Sequence, residues 1–199
     1  MPSVLHPAEH DEPALHLPVF ARTFAHADAL VFLTMAERQL VQCHFPVASR
    51  PQILLGLGTE APLPRKHLGC EVLGLGDRPY VVSVGRVDGH KGSKVLEAFS
   101  LVVTEAWSLE LPAVVNARCG ATREHCERSG GGLWFGSYLE FEAVLDRLAA
   151  DRELRRHLGK RGRSYVERHY RWPVLIERYA RFLDDVVVRA KLPPSSETG

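Results

Sequence analysis

The chain has 199 residues, 45% of them hydrophobic and 25% charged, with a formal net charge of +1. That length suits one ordinary domain, or one domain with part of another, and the near-neutral balance gives no global attraction to nucleic acid or membrane. Four cysteines at 43, 70, 119 and 126 form no CxxC pair and no regular framework, which points to a reducing compartment rather than a disulfide scaffold.

The opening MPSVLHPAEHDEP has no basic stretch followed by an apolar core, and no apolar run approaches the roughly 18 residues of a spanning helix. A cytoplasmic protein is therefore expected. HLPVFARTFAHAD puts Leu17, Phe20, Phe24 and Ala27 at helical spacing. ALVFLT is a short apolar run suited to a buried strand. MAERQLVQCHF follows as a helix, with Thr34 placed to cap it and Glu37 three residues on. PQILLGLG is again strand-like, and residues 59–78, rich in proline, glycine and charge, read as a linker.

PYVVSVG is a buried strand ending at Gly85, with a helix from about Lys91. LPAVVNA and GGLWFG are two further strands. The remainder is helical, with a break expected near Gly159 to Gly162 and a last helix over WPVLIERYARFLDDVVVRA. The tail KLPPSSETG reads as disordered. Short apolar strands alternating with amphipathic helices predict an α/β fold with a mainly parallel sheet.

The stretch VVSVGRVDGHKG has the strongest chemical content. A strand stops at Gly85, Arg86 follows at once, and Lys91 arrives where a helix begins. Ligands of open parallel sheets bind beyond the carboxyl ends of the strands. A planar guanidinium and a point charge beside free helix amides suit a diphosphate there. The same spacing also fits a surface loop whose two charges face water. A Walker loop is excluded, because His90 precedes Lys91 and Gly92 follows it. GLGTEA at 56–61 fits a loose dinucleotide pattern, but the prolines of PLPR forbid the helix that pattern requires.

VGRVDGHKG, followed by FSLVVTEAWSLELPAVVNA, resembles the donor-binding half of retaining GT-B glycosyltransferases of family four. EAFSLVVTE resembles that family's motif of two glutamates seven residues apart, here Glu97 and Glu105. The upstream segment from Leu5 to Gly58 is similar to the end of the acceptor half, and the resemblance covers most of residues 4–188. It implies a reduced GT-B-like α/β fold: a Rossmann-like parallel sheet with flanking helices, and C-terminal helices. Residues 1–60 would be an acceptor-side remnant, 61–78 a linker, 79–190 a shortened donor half and 191–199 a tail. Two to three strand–helix units of the family, at ~30 residues each, have no counterpart between the two motifs.

The implied activity is transfer of a sugar from a nucleotide-sugar donor to a sugar, lipid or small-molecule acceptor, with retention of configuration. Arg86, Lys91 and His10 would be catalytic. Gly85, Glu97, Ser100, Leu101 and Glu105 would hold the donor, whose diphosphate is the leaving group. No cofactor and no metal are required. The alternative is a non-catalytic remnant that binds nucleotide-sugar weakly or serves as a partner module. Glu97 also reads as a solvated position on the helix SKVLEAF.

Other clusters favour plainer readings. His6, His10 and Asp11 lie among prolines that argue against one helical face. Cys119, Cys126 and His125 read as buried or idle groups rather than zinc ligands. Gly120 and Glu124 follow a strand end and could line the site. Residues 152–171 carry eight Lys or Arg against two Glu. A nucleic-acid surface would need aromatic platforms as well, so a solvated face is expected, with peripheral contact to an anionic membrane as the alternative.

Overall fold

In the computed structural model, residues 2–7, 17–61 and 99–191 are described, and they divide into two α/β units. The first contains the described residues up to Gly58, Phe99, and everything from His169 on. The second contains Thr59 to Ala61 and Ser100 to Arg168. The linker expected over 61–78 lies, apart from Ala61, outside the described residues.

The first unit is built on β1 (Val4–Leu5), α1 (Pro18–His26), β2 (Ala29–Phe32), α2 (Met35–His44) and β3 (Gln52–Leu54). Its sheet is parallel in the order β1-β2-β3, with Leu5 opposite Leu30 and Phe32 opposite Leu54. Strand β1 was not expected, since two residues are too short to show any periodicity. Every residue of the central strand β2 is buried, as a parallel strand covered on both faces requires. Phe24, Leu30, Phe32, Val41, Phe45 and Val47 form the core, and Phe24 stacks on Phe45 with ring centroids 4.3 Å apart.

Two helix ends in this unit are fixed by side chains. Thr34 Oγ1 accepts from the Glu37 amide at 3.2 Å, as its spacing predicted, and Glu37 Oε2 accepts from the Leu33 amide at 2.6 Å. Arg50 closes the other end of α1 by donating to the carbonyls of Phe24, Ala25 and Ala27, satisfying oxygens that the helix itself leaves open.

Helix α7 (Trp172–Lys191) follows the second sheet in the chain but packs in the first unit. Arg178 donates to the Leu54 carbonyl at 2.5 Å, and Tyr179 shares a 2.9 Å hydrogen bond with His6 Nε2. The glycines of the rejected dinucleotide pattern serve this packing. Gly56 has φ +79°, and a Cβ there would lie 2.4 Å from the Tyr170 ring; one on Gly58 would lie 2.4 Å from Trp172. They are notches for aromatic rings.

The second unit runs α3 (Leu101–Ser108), β4 (Ala113–Asn116), α4 (Gly120–Ser129), β5 (Gly132–Phe135), α5 (Tyr138–Ala150) and α6 (Arg152–His169). Strands β4 and β5 pair in parallel, Ala113 opposite Gly132 and Asn116 opposite Phe135, with α4 as their crossover. Helix α3 ends in a Schellman turn. The Leu111 amide donates to the Ala106 carbonyl at 3.0 Å and the Glu110 amide to Trp107 at 2.9 Å. Glu110 takes the position usually given to glycine, with φ +58°, at a cost of about 1 kcal/mol or more.

The break expected near Gly159 to Gly162 is not there. The helices part instead at Asp151, whose Oδ1 accepts from the Leu154 amide at 2.8 Å and so starts α6. Helix α6 continues through both glycines because its backbone must pass close to its neighbours. A Cβ on Gly159 would fall 1.8 Å from the Glu110 carbonyl oxygen, and one on Gly162 would fall 2.3 Å from Trp107. An alanine in a helix interior normally gains about 1 kcal/mol over glycine. Gly159→Ala is expected to reverse that sign and destabilise by about 2 kcal/mol, because the opposing atom is backbone and cannot rotate away. Urea unfolding of Gly159→Ala beside the exposed control Lys160→Ala measures this, and a stabilised Gly159→Ala would contradict it.

Candidate functional site

His10, Gly85, Arg86, Lys91 and Glu97 lie outside the described residues. Ser100, Leu101 and Glu105 are described, and all three belong to the start of α3 or its N-cap. The far end of α3 is anchored where the strands begin. Trp107 Nε1 donates to the carbonyl of Gly131, the residue before β5, at 2.8 Å. The first turn of α3 therefore faces the other edge, beyond the carboxyl ends of β4 and β5. Helix α4 leaves β4 there and α5 leaves β5 there, so three helix amino ends share the edge at which such sheets bind ligands.

These three ends differ chemically. Helix α5 is closed: Ser137 Oγ accepts from the Glu140 amide at 3.2 Å, and Glu140 Oε2 accepts from the Gly136 amide at 2.5 Å. Helices α3 and α4 are open. Neither Ser100 nor Cys119 caps with its side chain, and neither first turn holds an acidic residue. Each open end presents amides without helical acceptors and a partial positive charge. Two such ends at one sheet edge make an anion-binding arrangement.

The described candidates occupy that edge in distinct ways. Ser100 is the buried N-cap of α3. Leu101 and Val102 are exposed in the first turn. Glu105 is exposed one turn further on, at the spacing that shares a helix face with Leu101. The hydroxyls beneath are spent within the helix: Thr104 Oγ1 donates to the Leu101 carbonyl and Ser108 Oγ to that of Thr104. Gly120 is the first residue of α4, while Glu124 pairs with Arg128 at 3.1 Å.

Sequence reasoning passed over Arg118. Asn116 Oδ1 accepts from its amide at 2.9 Å, and the Asn116 carbonyl accepts from Cys119 at 3.0 Å. That turn sets an exposed arginine immediately ahead of the open end of α4. The available signal was its position, between a strand end and a helix start, the same one the sequence suggested for Arg86.

Behind the site, His125 packs edge-to-face against Trp107 and Tyr165, with ring centroids 6.4 Å away in each case. Burial, aided by the Arg128 charge, lowers its pKa to about 4, so it is neutral at pH 7. Burial, aided by the Glu127 charge, pushes the Cys126 thiol up to about 12. Partial desolvation lowers the pKa of His6, which shares its hydrogen bond with Tyr179 on the surface. Among the described residues no three His, Cys, Asp or Glu side chains gather as a metal site requires.

No protein-family model and no curated protein sequence matches the chain. Among solved structures it is similar to a sucrose-phosphate synthase from Thermosynechococcus elongatus, with a TM-score of 0.64 at 17% sequence identity. The match covers 90% of this chain and 63% of that one. The chain thus spans less than two thirds of its structural neighbour. At that identity the likeness concerns the fold, which is the expected one: parallel sheets flanked by helices, similar to a GT-B glycosyltransferase.

The unfolded chain takes up a proton at His125 near pH 6.5, whereas the folded chain does so only near 4. Stability from this residue is therefore complete above about pH 6.5 and falls as the pH drops towards 4, by about 3 kcal/mol. Urea titrations between pH 7 and 4 should show this loss, and His125→Phe should flatten it. An unchanged pH slope in the variant would refute the assignment.

Proposed function

We propose that the chain binds the diphosphate of a nucleotide-sugar at the carboxyl edge of its second sheet and serves in transfer of that sugar to an acceptor hydroxyl. The single observation that carries this reading is the pair of open amino ends, α3 and α4, at that edge. The similarity of the fold to a sugar transferase supports it. In this proposal the amides of Leu101 and Val102 and those of Gly120 and Ala121 meet phosphate oxygens, and Arg118 adds a guanidinium. Glu105 would take ribose hydroxyls. Arg86 and Lys91, with Gly85 at the strand end, would complete the diphosphate contacts, Glu97 would join Glu105, and His10 would lie near the sugar. Those five roles rest on the resemblance of their motifs.

The chemistry follows from charge. When the anomeric carbon leaves the diphosphate oxygen, the electron pair stays on the phosphate, and its growing charge must be held. Fixed dipoles and cations that are oriented beforehand do this at no cost in reorganisation. The new bond, from an acceptor oxygen to the same carbon, would form with retention, the hydroxyl proton passing to the departing phosphate oxygen. No step requires a metal or cofactor.

A second reading, binding without transfer, is favoured by one finding: the chain spans 63% of its structural neighbour. An acceptor wall is needed for turnover but not for binding, so the two readings separate experimentally. Titration calorimetry with UDP and GDP, and with their sugars, should show binding that Arg118→Ala weakens on the order of tenfold. Arg86→Ala and Lys91→Ala should each weaken it at least as much, as expected for charge-assisted contacts. Heat from none of these ligands would overturn the proposal. Binding with no release of nucleoside diphosphate in the presence of acceptors would select the second reading.

A further inference from the structure

Helix α7 carries more apolar surface than its own unit uses. The face it turns to the first sheet holds Leu175 and Val186, both buried, with Arg178 bonded to the Leu54 carbonyl and Tyr179 to His6. A second apolar row runs beside that face. Ile176, Ala180, Leu183, Val187 and Ala190 follow one another at spacings of four, three, four and three residues. With about 3.6 residues per turn, these five share one side of the helix, and no charged residue falls among them. The row lies largely in water: Ile176 is 62% and Val187 38% exposed, Ala180 and Ala190 are exposed, and Leu183 is partly buried. Spacing that alternates between four and three makes the narrow seam along which one helix packs on another.

The residues of the row suit a particular partner. Set antiparallel against its own copy, about a two-fold axis between Arg181 and Phe182, the row places Leu183 against Ala180 of the second copy and Ile176 against Val187 of the second copy. Symmetry makes each of these contacts occur twice. Large residues facing small ones interdigitate. A parallel copy would put alanine on alanine and leucine on leucine, leaving a gap beside a crowded layer. Charge agrees with the antiparallel arrangement. The solvent border of the row carries Glu177, Arg181, Asp184 and Lys191, two acids and two bases, with Glu177 already paired to Arg181. A border without net charge can lie beside its own copy. An unlike helix would be selected by a border of one sign met by the opposite sign across the contact.

We propose that α7 is the contact of a two-fold homodimer, formed by antiparallel packing of the row Ile176–Ala190 on the same row of a second copy. The row is about 21 Å long, so the interface is at the small end of the range for specific complexes and the dimer forms at micromolar concentration. Apolar side chains that the first unit leaves in water are thereby covered, and the buried face of α7 is untouched. The contact concerns the first unit alone and stands apart from the sugar-nucleotide proposal.

Sedimentation equilibrium of the full chain between about 10 and 300 µM tests it. The mass should rise from that of one copy, 22.2 kDa, and level off at two. Ile176→Ser should weaken association about a hundredfold and Val187→Ser about tenfold, since each lost apolar contact occurs twice. Val188→Ser is the control. Val188 is 59% exposed, more than Val187, but it stands about 100° further round the helix and off the row. Its substitution should leave association unchanged. All three positions are exposed, so far-ultraviolet circular dichroism should be the same in every variant. A chain that stays monomeric throughout, or that keeps adding copies beyond two, would overturn the proposal. So would association that is indifferent to Ile176→Ser and Val187→Ser, or that Val188→Ser weakens as much as they do.

Discussion

Trp107 is the group around which the second unit closes. Its side chain is fully buried, its indole nitrogen donates to the Gly131 carbonyl at 2.8 Å, and its ring meets Tyr165 and His125 edge-on. An indole of that size can sit at the start of a sheet only if the chain passing over it has no side chain in the way. Gly162 provides that absence on α6, and Gly131 does so on the segment entering β5. The tryptophan thereby fixes three things together: the seat of α3, the path of α6 across the amino edge, and the distance between them. Since one end of α3 is pinned at that edge, its other end must face the opposite one.

This constraint separates two surfaces of different character. At the carboxyl edge of the second sheet, the amino ends of α3 and α4 are left uncapped, as is that of α1 in the first unit, whereas α2, α5 and α6 are each closed by a side chain, from Thr34, Ser137 and Asp151. Capping is easily achieved and stabilises by about 1 kcal/mol, so two omissions at one edge are consistent with a ligand that supplies the missing acceptors. At the amino edge, Leu109 and Leu111 flank the Glu110 corner and are exposed. Both surfaces depend on the same buried ring, although neither includes it.

The first unit uses the same device for another purpose. Gly56 and Gly58 receive the rings of Tyr170 and Trp172, and Arg178 and Tyr179 tie α7 to the ends of β3 and β1. The pattern G-x-G, which in other settings brings a backbone close to a pyrophosphate, here brings it close to aromatic side chains. Close approach is the shared physical content, and the partner is decided elsewhere in the chain.

Much of the secondary structure was legible because the signals are local. The apolar run of β2, the Thr34 cap with Glu37, the alternation of strands with helices and the resulting α/β class all follow from residues within a few positions of one another. The order of the Arg-Lys and Glu motifs suggested a sugar transferase by resemblance, and Ser100, Leu101 and Glu105 were picked out in the same way. What the tertiary structure alone decided involves residues far apart in sequence. Gly159 and Gly162 look like helix breakers until Glu110 and Trp107 are seen against them. The helix starts instead at Asp151, and α7 joins the sheet that precedes it by more than a hundred residues. Arg118 gains its place from a turn built on Asn116. A local pattern states what a backbone prefers, but a glycine's reason for being there is the atom that its missing side chain would have struck, and only the folded chain brings that atom near.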